Sequence, residues 1–258
     1  MKLGILEMGF FFLVVFARAQ PNYAHMTDEQ LVDSLQAIKA ETVGIDSRAM
    51  ATAFLAEDEP PKFVGGIIGT AMPTSYPQMR LLVQHGVTSL PVLLKHLDDA
   101  RPTGLSLPPK DSFIMWSALG QEYDPRSGKP SFDRPDPRRE QPKLPYTVKV
   151  GDVCFTLVGQ IVGRALAPVR YQPTGGMIIN SPVVKPELAE KVRADWSHLT
   201  VEDFRLQLLK DARERDDPFA PSPLCRLRYY FPDEYARQKA SGELKTKITA
   251  FERDEKKG

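Results

Sequence analysis

Leu90, Leu93, Leu94 and Leu97 recur at i, i+3, i+4 and i+7, so on a helix they fall on one face as a single apolar stripe. The limits of that helix are set within a few residues. Gly86 stops the segment before it, Thr88 or Ser89 caps the new one, and Pro91 stands in the first turn, where a missing N–H costs nothing. Pro102 and Gly104 end it. A helix this short is marginal alone in water, because nucleation fixes several dihedral angles for one hydrogen bond. Its leucines must therefore be covered by a neighbour, and one is supplied just upstream, where Ser75-Tyr76-Pro77 starts a helix carrying Met79, Leu82 and Val83.

The same pattern returns elsewhere. Thr27-Asp28-Glu29-Gln30 is a capping box followed by Leu31, Leu35 and Ile38, which predicts a helix ending near Glu41 or Thr42. Residues 48–56 predict a second short helix, halted by Pro60-Pro61, while 63–70, with three glycines, leaves strand, helix start and connector open. In 151–164 Asp152 can cap, and Cys154, Leu157, Val158 and Ile161 repeat the stripe. Gly159 and Gly163 lower helix propensity there by about 1 kcal/mol each, which close helix contact would have to offset. A helix over 187–196 precedes one opened by Thr200 that carries Phe204, Leu208 and Ala212, and a last helix spans about 233–240. The hairpin from Ser75 to Arg101 resembles a HEAT-like repeat, in which stacked helical pairs share a continuous core. The expected fold is mostly α: HEAT-like stacked helical hairpins in a single domain, with one long proline-rich loop.

That loop is Asp124 to Pro145, whose six prolines and sparse apolar content cannot hold a packed core. The expected layout is a signal peptide over 1–19, N-terminal helical hairpins over 20–123, the proline-rich loop over 124–145, a C-terminal helical part of the same domain over 146–250, and a charged, frayed tail over 251–258. The signal reading rests on Lys2, the apolar run Phe10 to Phe16 and the Ala17-Arg18-Ala19 cleavage pattern. The run is far shorter than the roughly 20 residues that span a bilayer, so export without stable membrane insertion is expected, to a periplasm or the cell exterior. The block from Tyr146 to Pro182 also resembles a group of uncharacterised exported bacterial proteins with a helical-repeat-like body, which implies export and helical architecture and no activity.

Cleavage would turn 34 basic and 33 acidic residues into 32 of each by removing Lys2, Arg18 and Glu7. A neutral chain offers no general field for nucleic acid or an anionic membrane. Cys154 and Cys225 are open to two readings: a disulfide closing a loop of about 70 residues and contributing roughly 4 kcal/mol, or two thiols behaving as small apolar side chains.

The sequence contains no HExxH, CxxC, G-x-S-x-G, Walker or dinucleotide-binding pattern, so no catalytic residue, metal ligand or cofactor is assigned. His96 and Asp99, three apart at a helix end, could share a ligand, but a surface histidine beside a solvated acid is the simpler reading. His25, His85 and His198 lie at element boundaries. The adjacent acids Asp98-Asp99 and Asp216-Asp217 oppose the helix dipole unless a base such as Arg101 compensates. Cys154, in a first helical turn, is placed where the dipole can lower a thiol pKa, though packing or a disulfide is the stronger reading.

The segment RYQPTGGMIINSP, residues 170–182, holds Arg170, Tyr171, Gln172, Thr174 and Asn180 around a Gly-Gly turn, with Met177-Ile178-Ile179 as a short extended run. Arginine and tyrosine favour binding surfaces, and loops held by rigid helices often carry function, so these five residues are the candidate ligand-binding set. The plainer alternative is a turn pinned to the core, with Arg170 and Asn180 satisfying backbone groups. The expected function is a non-enzymatic binding or scaffold module for a protein or envelope component. The alternative is a cell-envelope hydrolase acting on cell-wall or carbohydrate material.

Overall fold

Every residue of Val150–Val162 is buried, so this helix lies wholly within the core. The computed structural model describes residues 22–39, 54–57, 76–107, 146–164, 166, 168–171, 177–214 and 223–255. Among these, the order is α1 (Asp28–Ser34), a 3-10 turn (Leu35–Ala37), α2 (Pro77–His85), a 3-10 turn (Gly86–Ser89), α3 (Leu90–Lys95), β1 (Pro102–Leu107), β2 (Tyr146–Lys149) and α4 (Val150–Val162). The hairpin β3 (Val169–Tyr171) and β4 (Met177–Ile179) follows, then α5 (Pro186–Trp196), α6 (Val201–Glu214), α7 (Pro223–Tyr230), α8 (Pro232–Ser241) and α9 (Lys245–Glu255). Among the described residues the protein is mostly helical, with two small antiparallel strand pairs, β1 with β2 and β3 with β4. Among the described residues no helix is long and apolar enough to cross a membrane.

The leucine stripe does what its spacing requires: Leu90, Leu93, Leu94 and Leu97 are all buried, and α3 packs on α4 and α5. Its caps differ from expectation. Neither Thr88 nor Ser89 caps α3, because both hydroxyls turn back on the helix before: Thr88 donates to the His85 carbonyl at 2.8 Å, and Ser89 to those of Leu82 (2.8 Å) and Gly86 (2.9 Å). The turn at Gly86 has φ 63°, and a Cβ there would meet the Tyr230 ring at 2.8 Å, so glycine is required both for conformation and for space. Pro102 and Gly104 do not terminate α3, which stops at Lys95. They lie in β1, where the Gly104 N–H donates to the Ile38 carbonyl at 2.8 Å and joins the strand to the end of the α1 segment.

The capping box of α1 forms as read, with Thr27 Oγ1 accepting from the Gln30 N–H and Gln30 Oε1 from the Thr27 N–H. The helix ends earlier than expected, tightening to a 3-10 turn that leaves Ile38 extended, because Ile38 must meet β1. In α4, Lys149 is the N-cap residue; Asp152 lies inside the first turn and reaches back to it. Gly159 packs not against another helix but against the returning chain, since a Cβ there would meet the Arg164 carbonyl at 2.7 Å and Leu166 at 2.8 Å. Gly163, left-handed at φ 68°, makes that reversal.

The carboxyl end of α4 is buried, and two buried arginines satisfy it. Arg164 donates to the Val162 and Gly163 carbonyls and pairs with Asp211 on α6 at 2.6 Å; Arg226 on α7 donates to the Gln160 carbonyl at 2.7 Å. Beyond it, α6, α7, α8 and α9 pack consecutively. Here the sequence reading falls short: Tyr229 and Tyr230 belong to a helix, and α9 continues through Glu255 where a frayed tail was expected. Arg228 fixes that end by pairing with Glu255 at 2.7 Å and lying over the Phe251 ring. Of the expected helix over 48–56, residues 48–53 lie outside the described residues and 54–56 belong to a turn, while 63–70 and the proline-rich loop also lie outside them.

Candidate functional site

The strand pair β3–β4 interrupts the helical body between α4 and α5. Its register places Val169 opposite Ile179, Arg170 opposite Ile178 and Tyr171 opposite Met177, so the extended run read over 177–179 is a strand. Gln172 and Thr174 lie outside the described residues, as does the Gly175-Gly176 turn. Asn180 is not a surface residue: it is buried at the base of the hairpin, where its N–H donates to the Pro168 carbonyl at 2.7 Å and closes the strand pair. Its Oδ1 is also buried, with no hydrogen-bond partner among the described residues. Arg170 and Tyr171 therefore share a strand, while Asn180 belongs to the foundation.

At the start of α4 and the turn into α5 is a polar cluster that no local motif announces. Tyr146 Oη donates to Asp152 Oδ2 at 2.6 Å, and the Lys149 N–H donates to the same oxygen at 2.8 Å. Ser181 Oγ accepts from the Val183 and Val184 N–H groups, at 3.1 and 3.2 Å, fixing the turn into α5. Burial pushes the Asp152 carboxyl above the usual range, although hydrogen bonds from Ser181 and Tyr146 and the Lys149 N–H pull the other way. Burial and the adjoining Asp152 charge push the Tyr146 phenol up as well.

A second cluster occupies the rim, where α1 meets the end of α3. His96 lies between two carboxylates, Nε2 at 2.8 Å from Glu29 Oε2 and Nδ1 at 3.0 Å from Asp99 Oδ2. Lys95 Nζ pairs with the other Glu29 oxygen at 2.7 Å. Arg101 donates to both Asp99 oxygens and reaches Asp33 at 2.7 Å, so it is the base that compensates this acidic helix end. Burial works to raise the Asp99 carboxyl, but bonds from Arg101 and His96 outweigh it and hold the group at about 2. Hydrogen bonds from Lys95 and then His96 hold Glu29 below the ordinary range. His85 makes a parallel contact to Asp28 at 2.7 Å, and Asp98 pairs with Arg193 of α5 at 2.8 Å.

The pairing of His96 with Asp99 was legible from its i, i+3 spacing. Glu29, about two-thirds of a hundred residues away in the chain, was not, because nothing local encodes that meeting. No group of three or more histidine, cysteine or acidic residues suited to a metal ion occurs among the described residues. Asp216 and Asp217 lie outside them. Cys154 and Cys225 are not joined by a disulfide. Cys154 is fully buried, and burial together with the Asp99 charge pushes its thiol well above the usual range, which overrides any help from the helix dipole. The chain matches no family model, no curated protein and no solved structure.

Proposed function

We propose that the protein is an exported, non-enzymatic binding or scaffold module, working in a periplasm or outside the cell, and that it takes a protein or envelope component through the β3–β4 hairpin and the adjoining helical surface. One observation carries the reading: a short strand pair bearing Arg170 and Tyr171 is built into a helical body and closed at its base by buried Asn180. A recognition element costs less to order on binding when its backbone is already held. The helices belong, on this reading, to HEAT-like hairpins whose shared core keeps the hairpin in place.

The rival reading, a cell-envelope hydrolase, finds its best support in His96, Glu29 and Asp99, where acids and a histidine from distant parts of the chain converge. Glycoside hydrolysis needs one carboxyl that keeps its proton near neutral pH and another that is ionised. The rim acids are both shifted down, and Asp152, which is shifted up, is wholly buried. Among the described residues the carboxyl shifted up is thus out of reach of a substrate, which favours binding over hydrolysis.

The test is photo-crosslinking from position 171 in an envelope fraction, paired with a pull-down comparing wild type with an Arg170→Ala/Tyr171→Ala variant of equal thermal stability. A partner captured by the wild type and lost from the variant supports the reading. Equal capture by both overturns the hairpin as the contact, and cleavage of cell-wall fragments by the purified protein overturns the non-enzymatic assignment.

A further inference from the structure

Phe54, Leu55 and Ala56 belong to no helix or strand and yet are buried, and with Glu57 they form a turn in which each residue is read by a different group. The Phe54 ring stands edge-on to those of Tyr229 and Tyr230, with centroids 5.5 and 5.6 Å away, and the Arg226 guanidinium lies 4.8 Å from its centre. The Leu55 N–H donates to Gln160 Oε1 at 3.2 Å, and Gln84 Nε2 donates to the Ala56 carbonyl at 3.1 Å. Arg228 donates to the Glu57 carboxylate at 2.8 Å. These partners come from α2, α4 and α7. Two of them are side-chain amides that satisfy main-chain groups, which is how a protein holds the backbone of a short peptide that lies outside its own sheets and helices.

The reading groups are fixed by contacts that do not involve the turn. Arg226 Nε donates to the Gln160 carbonyl at 2.7 Å, Tyr230 Oη donates to the Val83 carbonyl while its ring packs on Phe204, and Arg228 is also paired with Glu255 at 2.7 Å. A cleft held this way costs little to order when it is filled. We infer that α2, α4 and α7 form a peptide-recognition cleft, that the chain's own Phe54–Glu57 turn occupies it as an internal ligand, and that its external occupant is a peptide segment with an aromatic residue, an aliphatic residue, alanine or glycine, and an acid in succession. The aromatic position supplies the ring that the tyrosines and guanidinium grip. The third position must be small, because Ala56 is 2% exposed and has no room to grow. The acid adds least, since both Glu57 and Arg228 are partly exposed. This site is independent of the β3–β4 hairpin. Its own turn competes at the high effective concentration of a tethered ligand, so binding in trans is autoinhibited.

The test is fluorescence anisotropy with a labelled peptide of residues 51–58, Ala-Thr-Ala-Phe-Leu-Ala-Glu-Asp, titrated with the full-length protein as wild type and as Phe54→Ala, which weakens the internal ligand. Saturable binding to the variant is expected, with binding to the wild type weaker by about tenfold or more. In the peptide, Phe54→Ala or Ala56→Leu should abolish binding, and Glu57→Gln should weaken it by about threefold. Phe54→Leu, which keeps the apolar fill and loses the ring contacts, serves if the alanine variant does not fold, and the peptide should then raise the Tm of the leucine variant as its concentration rises. A folded variant that ignores the peptide, or binds a scrambled peptide or the Ala56→Leu peptide equally well, overturns the cleft. Equal affinity of wild type and variant overturns the autoinhibition.

Discussion

Two polar regions flank the start of α4, where the Val150 and Gly151 N–H groups donate to the Arg101 and Asp99 carbonyls, and they solve opposite problems. Asp152 is fully buried and is held by neutral donors, Tyr146, Ser181 and a backbone N–H. Asp99 is at the rim and is held by Arg101 and His96. Burial raises both carboxyls, but only at the rim do positively charged donors reverse the outcome. The lesson is that local exposure does not decide ionisation; the charge of the available donors does. The deep region is held by neutral donors, and the rim region joins α1 to the end of α3 through charged contacts.

The largest effect that would sharpen this contrast is expected from Asp152→Ala, which strands the Tyr146 hydroxyl and the Lys149 N–H in the interior; chemical denaturation should show a loss of about 3 kcal/mol. Gly151→Ala strikes the seam between the regions, since its Cβ would meet the Leu97 carbonyl at 2.4 Å. The forced shift should cost about 2 kcal/mol in the same measurement. Asp99→Asn should cost about 1.5 kcal/mol, discounted because Arg101 is partly exposed. The smallest effect is Thr27→Ala, which removes the α1 capping box and should cost about 0.5–1 kcal/mol, read as a lower Tm.

The pH dependence separates the regions by sign. Asp99 is shifted down, so its contribution is present above the ordinary aspartate range and disappears as pH falls through about 2; Asp99→Asn should remove that acid limb. Asp152 is shifted up, so the folded state holds a proton that the unfolded chain has released, and stability from this group declines as pH rises above the unfolded value of about 3.9. Asp152→Asn should flatten that decline. A common sign for both variants would break the comparison.

What was legible in the sequence was local. The α1 capping box, the Gly86 stop and the α3 and α4 stripes each follow from periodicity and turn chemistry within a dozen residues. The caps failed where a hydroxyl had a better acceptor: Ser89 faces carbonyls that helix periodicity does not reveal. The strands at 102–107 and 146–149 were missed because each is half of a pairing across a long separation, and a short apolar run does not identify its partner. Asn180 was read as surface because it is polar and adjoins a glycine turn, yet the hairpin's closure buries it. The rim network was half legible, through His96 and Asp99, with its α1 members hidden by distance along the chain.

The central claim is that burial shifts the Asp152 carboxyl up while hydrogen bonds from Arg101 and His96 hold the rim carboxyl of Asp99 down. A difference infrared pH titration of wild type against Asp152→Asn tests it most directly. A carboxylic-acid band that persists above the ordinary aspartate range in the wild type and is absent from the variant is the expected result. A band that survives in Asp152→Asn and disappears in Glu29→Gln or Asp99→Asn would place the proton at the rim, contradict the assignment and restore the hydrolase reading.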